Sequence, residues 1–515
     1  MKPSDELSEL IRCMSPSEKR YFKLQAATFK EDSHYLLLFD AIDKKEIEDT
    51  ELEKYLALNQ VTVSLSRLKN YLQQLIMKTL REYHLDHYPE FKIIEAYRDY
   101  RILRDRKLDK QASKAIARAV KLAKQFERYA YLWEINRHLA IDEMVEMDGN
   151  KFRKNTDAVL DIQDGIVTKL KRVNDCHRLE VEAILLEKEH IKTIDPEKLS
   201  AIEQLLADAK VFDTEDLPYY GKAHLHGVYN ICYAQTNRYS EALEINSQLV
   251  DLLRERPIEI GCNDEQILYA FTNQLYHLLY QEKWDDFKKL TSEIKADPSK
   301  YFIGHGEYFQ SALLFGAYSF EVSLALLSGN FEEGNRCLEP AQKILDKYPN
   351  IAFAEFQFSW LYRKLVLYFG LGNYNKALQT TNIILDGKVL KYGPDFGPYI
   401  RMLNLIILYE LGHHKMLPSA IKATEQFIRG KENLYEVDKL LLEMLKKFLK
   451  ATNDDSVKAI CTSYAAKIKA KIEAEPSART PLIYFDFLTW MEGKAKGVLF
   501  GEAMHQKHLA KQKAD

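Results

Sequence analysis

Glycine and proline are scarce in this chain, at 20 and 14 of 515 residues. An all-β sandwich needs a turn about every 8–12 residues and a doubly wound α/β fold needs glycine-rich loops, so neither suits it. Cysteine is also sparse. Cys13, Cys176, Cys232, Cys262, Cys337 and Cys461 lie at least 30 residues apart, with no C-x-x-C. That is the pattern of reduced, mostly buried thiols rather than of a disulfide or zinc framework. No run of about 18 apolar residues occurs, so no membrane span is expected. Met1-Lys2-Pro3-Ser4-Asp5-Glu6 is not followed by an apolar stretch, so no secretory signal is expected and the reading is cytoplasmic. Charge of one sign is missing too: 73 Lys and Arg stand against 76 Asp and Glu. The global balance therefore asks for no polyanionic partner.

What is present is helical periodicity. Val120, Ala123, Phe126 and Ala130 follow a period near 3.6, with Lys121, Lys124 and Arg128 between them; Leu361, Leu365, Tyr368 and Phe369 do the same. Short punctuation such as Leu217-Pro218 and Asp297-Pro298-Ser299 separates such segments, and no alternating run reads as strand. The chain is expected to be all-α. At this length it exceeds a single core of about 250–300 residues, which leaves several domains or a repeat array. In residues 1–88, Ser15-Pro16-Ser17-Glu18 has the pattern of a helix start: Ser15 caps, Pro16 takes the first helical position and Glu18 closes a capping box. Helices are expected at about 36–42, 51–58 and 63–83, an outline like a helix-turn-helix module.

Five segments repeat. Asn237-Arg238-Tyr239, Glu282-Lys283-Trp284, Gly329-Asn330-Phe331, Gly372-Asn373-Tyr374 and Gly412-His413-His414 place their anchors 45, 47, 43 and 40 residues apart. Gly or Asn ends a first helix because it tolerates the left-handed conformation, and the aromatic opens a second. A small residue three positions later (Ala242, Gly334, Ala377) lets the two helices approach. Phe287 and Leu417 break that rule and predict splayed pairs. One pair cannot bury its apolar face alone; stacked pairs can.

These segments resemble tetratricopeptide repeats, and Tyr233 and Tyr368 match the aromatic of that family's first helix. The resemblance covers residues 218–430. The spacing of 40–47 exceeds the family's period, and the closing proline is mostly missing. Ser15-Pro16-Ser17-Glu18-Lys19-Arg20-Tyr21-Phe22 and Tyr484-Phe485-Asp486-Phe487-Leu488-Thr489-Trp490 are similar to uncharacterised tetratricopeptide-like proteins of Bacteroidetes. The resemblance implies an α-solenoid, a right-handed superhelix whose concave groove binds a peptide or protein. In that frame residues 1–88 form a distinct helical region, 89–217 degenerate hairpins, 218–430 the repeats and 431–515 a helical cap. Counting back from each anchor, His224, Tyr269, Thr272, Tyr276, Ser319, Ser323, Tyr362 and Tyr399 would face the groove. Tyr, Ser and Thr make adaptable contacts at low entropic cost.

Charge partitions locally. Residues 61–128 carry 16 Lys and Arg against 8 Asp and Glu, a balance of +8 that leaves −11 for the rest. Lys110, Lys114, Arg118 and Lys121 fall on one helical stripe, and Arg67, Lys69, Lys78 and Arg81 lie upstream. Such residues can meet phosphates, which makes a nucleic-acid-binding regulator the alternative to a scaffold. The commoner role of such a stripe is a solvated helix face.

Catalytic signatures are missing. There is no G-x-x-x-x-G-K-[ST], no H-E-x-x-H and no G-x-S-x-G, and Gly370-Leu371-Gly372 lacks the third glycine of a dinucleotide fingerprint. Glu187-Lys188-Glu189-His190 is a single E-x-x-H where a di-metal bundle needs two. His224 and His226 point about 200° apart on a helix and cannot chelate one ion together. No catalysis, metal or cofactor is expected.

Overall fold

The computed structural model describes residues 3–26, 34–44, 51–59, 61, 63–86, 88–146, 149–189, 196–255, 264–302, 307–348, 354–387, 390–391, 396–429, 436–451, 453–475 and 480–513. The protein is all-α, with no strand among the described residues. It divides into two compact units: residues 1–267 with 303–307, and residues 268–302 with 308–515.

The first unit holds α1 (Pro3–Cys13), α2 (Pro16–Ala26), α3 (His34–Asp43), α4 (Leu52–Leu58), α5 (Leu65–Tyr83), α6 (Pro89–Asp105), α7 (Asp109–Gln125), α8 (Tyr129–Glu146), α9 (Gly149–Glu189), α10 (Pro196–Lys210), α11 (Tyr219–Gln235) and α12 (Tyr239–Glu255). Helices α1–α5 share a core around Leu7, Ile11, Phe22, Phe39, Leu72 and Ile76. The expected capping box starts α2: the Ser15 amide donates to Glu18 at 2.6 Å, and the Glu18 amide donates to Ser15 Oγ at 3.2 Å. Burial pushes the Glu18 carboxyl upward, but the Ser15 amide and His84, 2.6 Å away at the end of α5, outweigh it and hold it below its ordinary value. From α6 onward, helices pack chiefly on sequence neighbours.

The second unit holds most of α13 (Asp264–Tyr280), then α14 (Trp284–Ala296), a 3₁₀ turn (Pro298–Tyr301), α15 (Glu307–Ser328), α16 (Phe331–Lys347), α17 (Ala354–Gly370), α18 (Tyr374–Asp386), α19 (Gly397–Glu410), α20 (Leu417–Arg429), α21 (Glu436–Phe448), α22 (Asp454–Ala474), α23 (Thr480–Tyr484), α24 (Phe487–Lys496) and α25 (Phe500–Gln512). One continuous core runs from Ala312 to Phe500. Among the described residues α15 alone is long and apolar enough to cross a bilayer, and 56% of that stretch is buried inside this unit. Helices α17 and α18 pack closely, as Ala377 predicts. So do α19 and α20, contrary to the splaying expected from Leu417: its side chain, 2% exposed, joins the core instead of wedging the pair apart.

One turn geometry recurs between helices. Asn237, Glu282, Gly329, Gly372 and Gly412 all adopt positive φ, between 56° and 74°. At Asn237, Glu282, Gly372 and Gly412 the next residue's amide reaches back to the carbonyl five positions earlier, as from Asn373 to Tyr368 at 2.9 Å, which satisfies the orphan carbonyls of the helix end. Lys107 and Glu127, before α7 and α8, make the same turn without glycine or asparagine.

Helix α25 crosses three of these turns. Lys511 pairs with Glu282, and the His508 ring lies 4.8 Å from Trp284. His505 reaches the Ser328 carbonyl at 3.3 Å, and its backbone lies against Gly329. Gly501 sits on the Gly370 carbonyl, and Phe500 packs edge-on against Phe331 and Phe369.

Candidate functional site

In the second unit, helices α13, α15 and α17 bring together a polar and aromatic cluster. Helix α17 reads AEFQFSWLYRKLVLYFG, mostly apolar and aromatic, with Glu355, Arg363 and Lys364 its charged residues. Arg363 donates to Ser319 Oγ on α15 at 2.7 Å, and its guanidinium lies 5.4 Å from the Phe320 ring. Among the described residues no carboxylate pairs with it. Burial pulls the guanidinium pKa down from its ordinary value, opposed by the Tyr280 hydroxyl on α13. The side chain is half-buried. Tyr280 is exposed, its ring 4.5 Å from that of half-buried Tyr276 one turn earlier. Ser323 donates to the Ser319 carbonyl at 3.3 Å, and Thr272 Oγ1 lies 4.0 Å from the side-chain position of Gly316.

The residues expected to face a groove divide. Tyr276 and Ser323 are partly exposed here, and Tyr269 on α13 is 47% exposed. Ser319 and Thr272 are buried, the first under Arg363, the second donating to the Leu268 carbonyl at 2.6 Å. Tyr399 and Tyr362 are covered by the chain itself. Tyr399 is 3% exposed and stacks on Tyr484 at 4.3 Å and 8°, and the Tyr362 hydroxyl donates to the Tyr484 carbonyl. His224 lies in the first unit and is buried: Nδ1 meets Glu180 of α9 at 2.5 Å, with the His177 and Tyr220 rings 4.8 and 4.7 Å away. Neither His224 nor Tyr399 is available to an outside ligand. Arg363 and Tyr280 escaped the sequence reading. The signal for Arg363 was a cation inside an apolar helix, beside Tyr362; that for Tyr280 was its place one turn beyond Tyr276.

The basic residues divide as well. On α5, Arg67, Lys78 and Arg81 are exposed, but Lys69 is 9% exposed. The core face of α5 runs through Leu68, Leu72, Leu75, Ile76 and Thr79, and the helical period puts Lys69 on it. Lys69 therefore cannot meet a phosphate as expected. On α7, Lys110, Lys114, Arg118 and Lys121 are all exposed.

Other chemistry is muted. Burial pushes the thiols of Cys176, Cys232, Cys337 and Cys461 up to about 11, 12, 12 and 12, so none is a thiolate at neutral pH. Cys262 and His190 lie outside the described residues. Among those residues no cluster of three His, Cys, Asp or Glu could hold a metal ion. A cavity of about 360 Å³ opens beside α22 and α24, but its lysines are already paired, Lys469 with Glu492 and Lys507 with Asp486, each at 2.6 Å.

No family model matches the chain, and no curated protein is significantly similar to it.

Proposed function

We propose that this protein is a non-catalytic scaffold of the tetratricopeptide-like, α-solenoid kind, taking a peptide or protein segment at the cluster where α13, α15 and α17 meet. The carrying observation is Arg363: a half-buried cation with Ser319 and an aromatic ring as neighbours and, among the described residues, no paired carboxylate. A buried charge is costly until an opposite charge completes it. An acidic side chain or chain-terminal carboxylate of the ligand would do so, bidentately. Tyr276 and Tyr280 supply rigid amphipathic contact area at the rim, the composition that carries binding energy at interfaces. The C-terminal segment already covers Tyr362 and Tyr399, so the ligand site is narrower than a groove along all the repeats. On this reading the protein works in the cytoplasm and needs no cofactor.

The test is site-specific photocrosslinking from position 276 in living cells of the source organism, read by mass spectrometry. A defined protein partner is expected, captured at least tenfold less by the Arg363→Met chain. Crosslinking no better than from an exposed position on α22 would sink the proposal.

A further inference from the structure

Helix α7 presents an array of cations that no carboxylate among the described residues pairs with. Its buried face is Ala112, Ile116, Ala119 and Ala123, none more than 3% exposed. On the opposite face Lys110, Lys114, Arg118, Lys121 and Lys124 are exposed, at steps of four, four, three and three residues. That spacing keeps all five within one face over about 21 Å of helix. The lone acid of α7, Asp109, is held by Arg104 at 2.7 Å. Among the described residues none of the five cations has an ion-pair partner. Other helices behave differently: Lys343, Lys439 and Lys471 each pair with a carboxylate of their own or an adjoining turn.

The rest of that face decides what it fits. Between the cations stand Gln111, Ser113 and Ala117, and α7 contains no aromatic residue. A protein partner needs a desolvated apolar or aromatic anchor. A membrane surface needs apolar side chains to insert, and single-stranded nucleic acid needs rings on which bases stack. None of these is present. A row of positive charge alone matches a regular polyanion. A convex helix face also fits the wide major groove of B-form DNA, whereas the A-form groove of double-stranded RNA is too deep and narrow. We propose that the exposed face of α7 is a sequence-independent docking surface for the phosphate backbone of double-stranded DNA. This surface does not involve Arg363 and stands or falls without it.

The test is fluorescence anisotropy of the full chain with a labelled 20-base-pair DNA duplex of arbitrary sequence, between 50 and 200 mM KCl. With five phosphate contacts the affinity should fall a few hundred-fold over that range, a log–log slope of about −4.5. The triple variant Lys114→Gln, Arg118→Gln, Lys121→Gln should flatten the slope by about 2.7 with unchanged circular dichroism. The charge reversal Lys114→Glu, Arg118→Glu, Lys121→Glu should abolish binding. The proposal is overturned by absence of binding at 50 mM salt, or by binding that both triple variants leave unchanged. Equal or tighter binding to an RNA duplex, poly-glutamate or anionic phosphatidylserine vesicles overturns it as well.

Discussion

Arg363 and Ser319 face each other across α17 and α15, guanidinium to hydroxyl at 2.7 Å, and no carboxylate stands within reach among the described residues. The hydroxyl repays only part of the hydration that the cation has given up. Arg363→Met, similar in length and uncharged, should therefore leave the second unit as stable or raise it by about 1 kcal/mol in urea melts. Arg363→Ala should lower stability by about 2 kcal/mol through the cavity it leaves. A large loss with Met would mean that an unseen counter-charge completes the site within the chain.

The Tyr484 ring stacks on Tyr399, and its carbonyl accepts from the Tyr362 hydroxyl. Tyr484→Ala should cost about 3 kcal/mol in thermal or chemical unfolding of the second unit, the usual range for deleting a buried ring. It should also raise the accessibility of Tyr399 to iodination. If stability is kept and Tyr399 stays protected, the C-terminal segment is not what seals that face.

Two glycines with the same backbone separate strain from crowding. Gly412 has φ +70° and open space where a side chain would go, so Gly412→Ala should cost about 1–2 kcal/mol, the left-handed penalty alone. Gly329 has φ +74°, and a Cβ there would run into the backbone of His505. Gly329→Ala should cost at least about 3 kcal/mol, and equal losses would show that α25 does not lie on that turn.

Burial pushes the imidazole of His277, 1% exposed, down to about 4. Its neutral form is favoured in the fold, so its contribution is fully present above the ordinary histidine value near 6.5. It is lost as pH falls towards 4, because the unfolded chain takes up the proton first. Stability of the second unit should drop by roughly 2–3 kcal/mol over that window. His277→Gln should flatten the profile; a profile unchanged by the substitution would assign the loss to other groups.

What the sequence revealed was what is local. The capping box at Ser15 and Glu18 closes within four residues, and the helices at 34–43, 52–58 and 65–83 lie within a few residues of their expected bounds. Turns at Asn237, Gly329, Gly372 and Gly412 were legible because glycine and asparagine mark the left-handed conformation. The same turns at Lys107 and Glu127 were not, since neither residue signals positive φ. Lys107→Gly should accordingly stabilise the first unit by up to about 1 kcal/mol in a urea melt. Charge marks Lys69 as a surface residue, but its helical phase sets it on the core face of α5. The covering of Tyr362 by Tyr484 joins residues 122 apart, and no spacing rule spans that distance.

The path of α25 over the turns at Glu282, Gly329 and Gly372 bears on how the second unit comes apart. A stack whose members touch only their neighbours frays from its ends and loses repeats one at a time. Here α25 is stitched to positions up to 229 residues earlier, so α13 cannot peel away while α25 stays seated. The second unit should unfold in one concerted step, and a nascent chain should remain incompletely locked until α25 has been made.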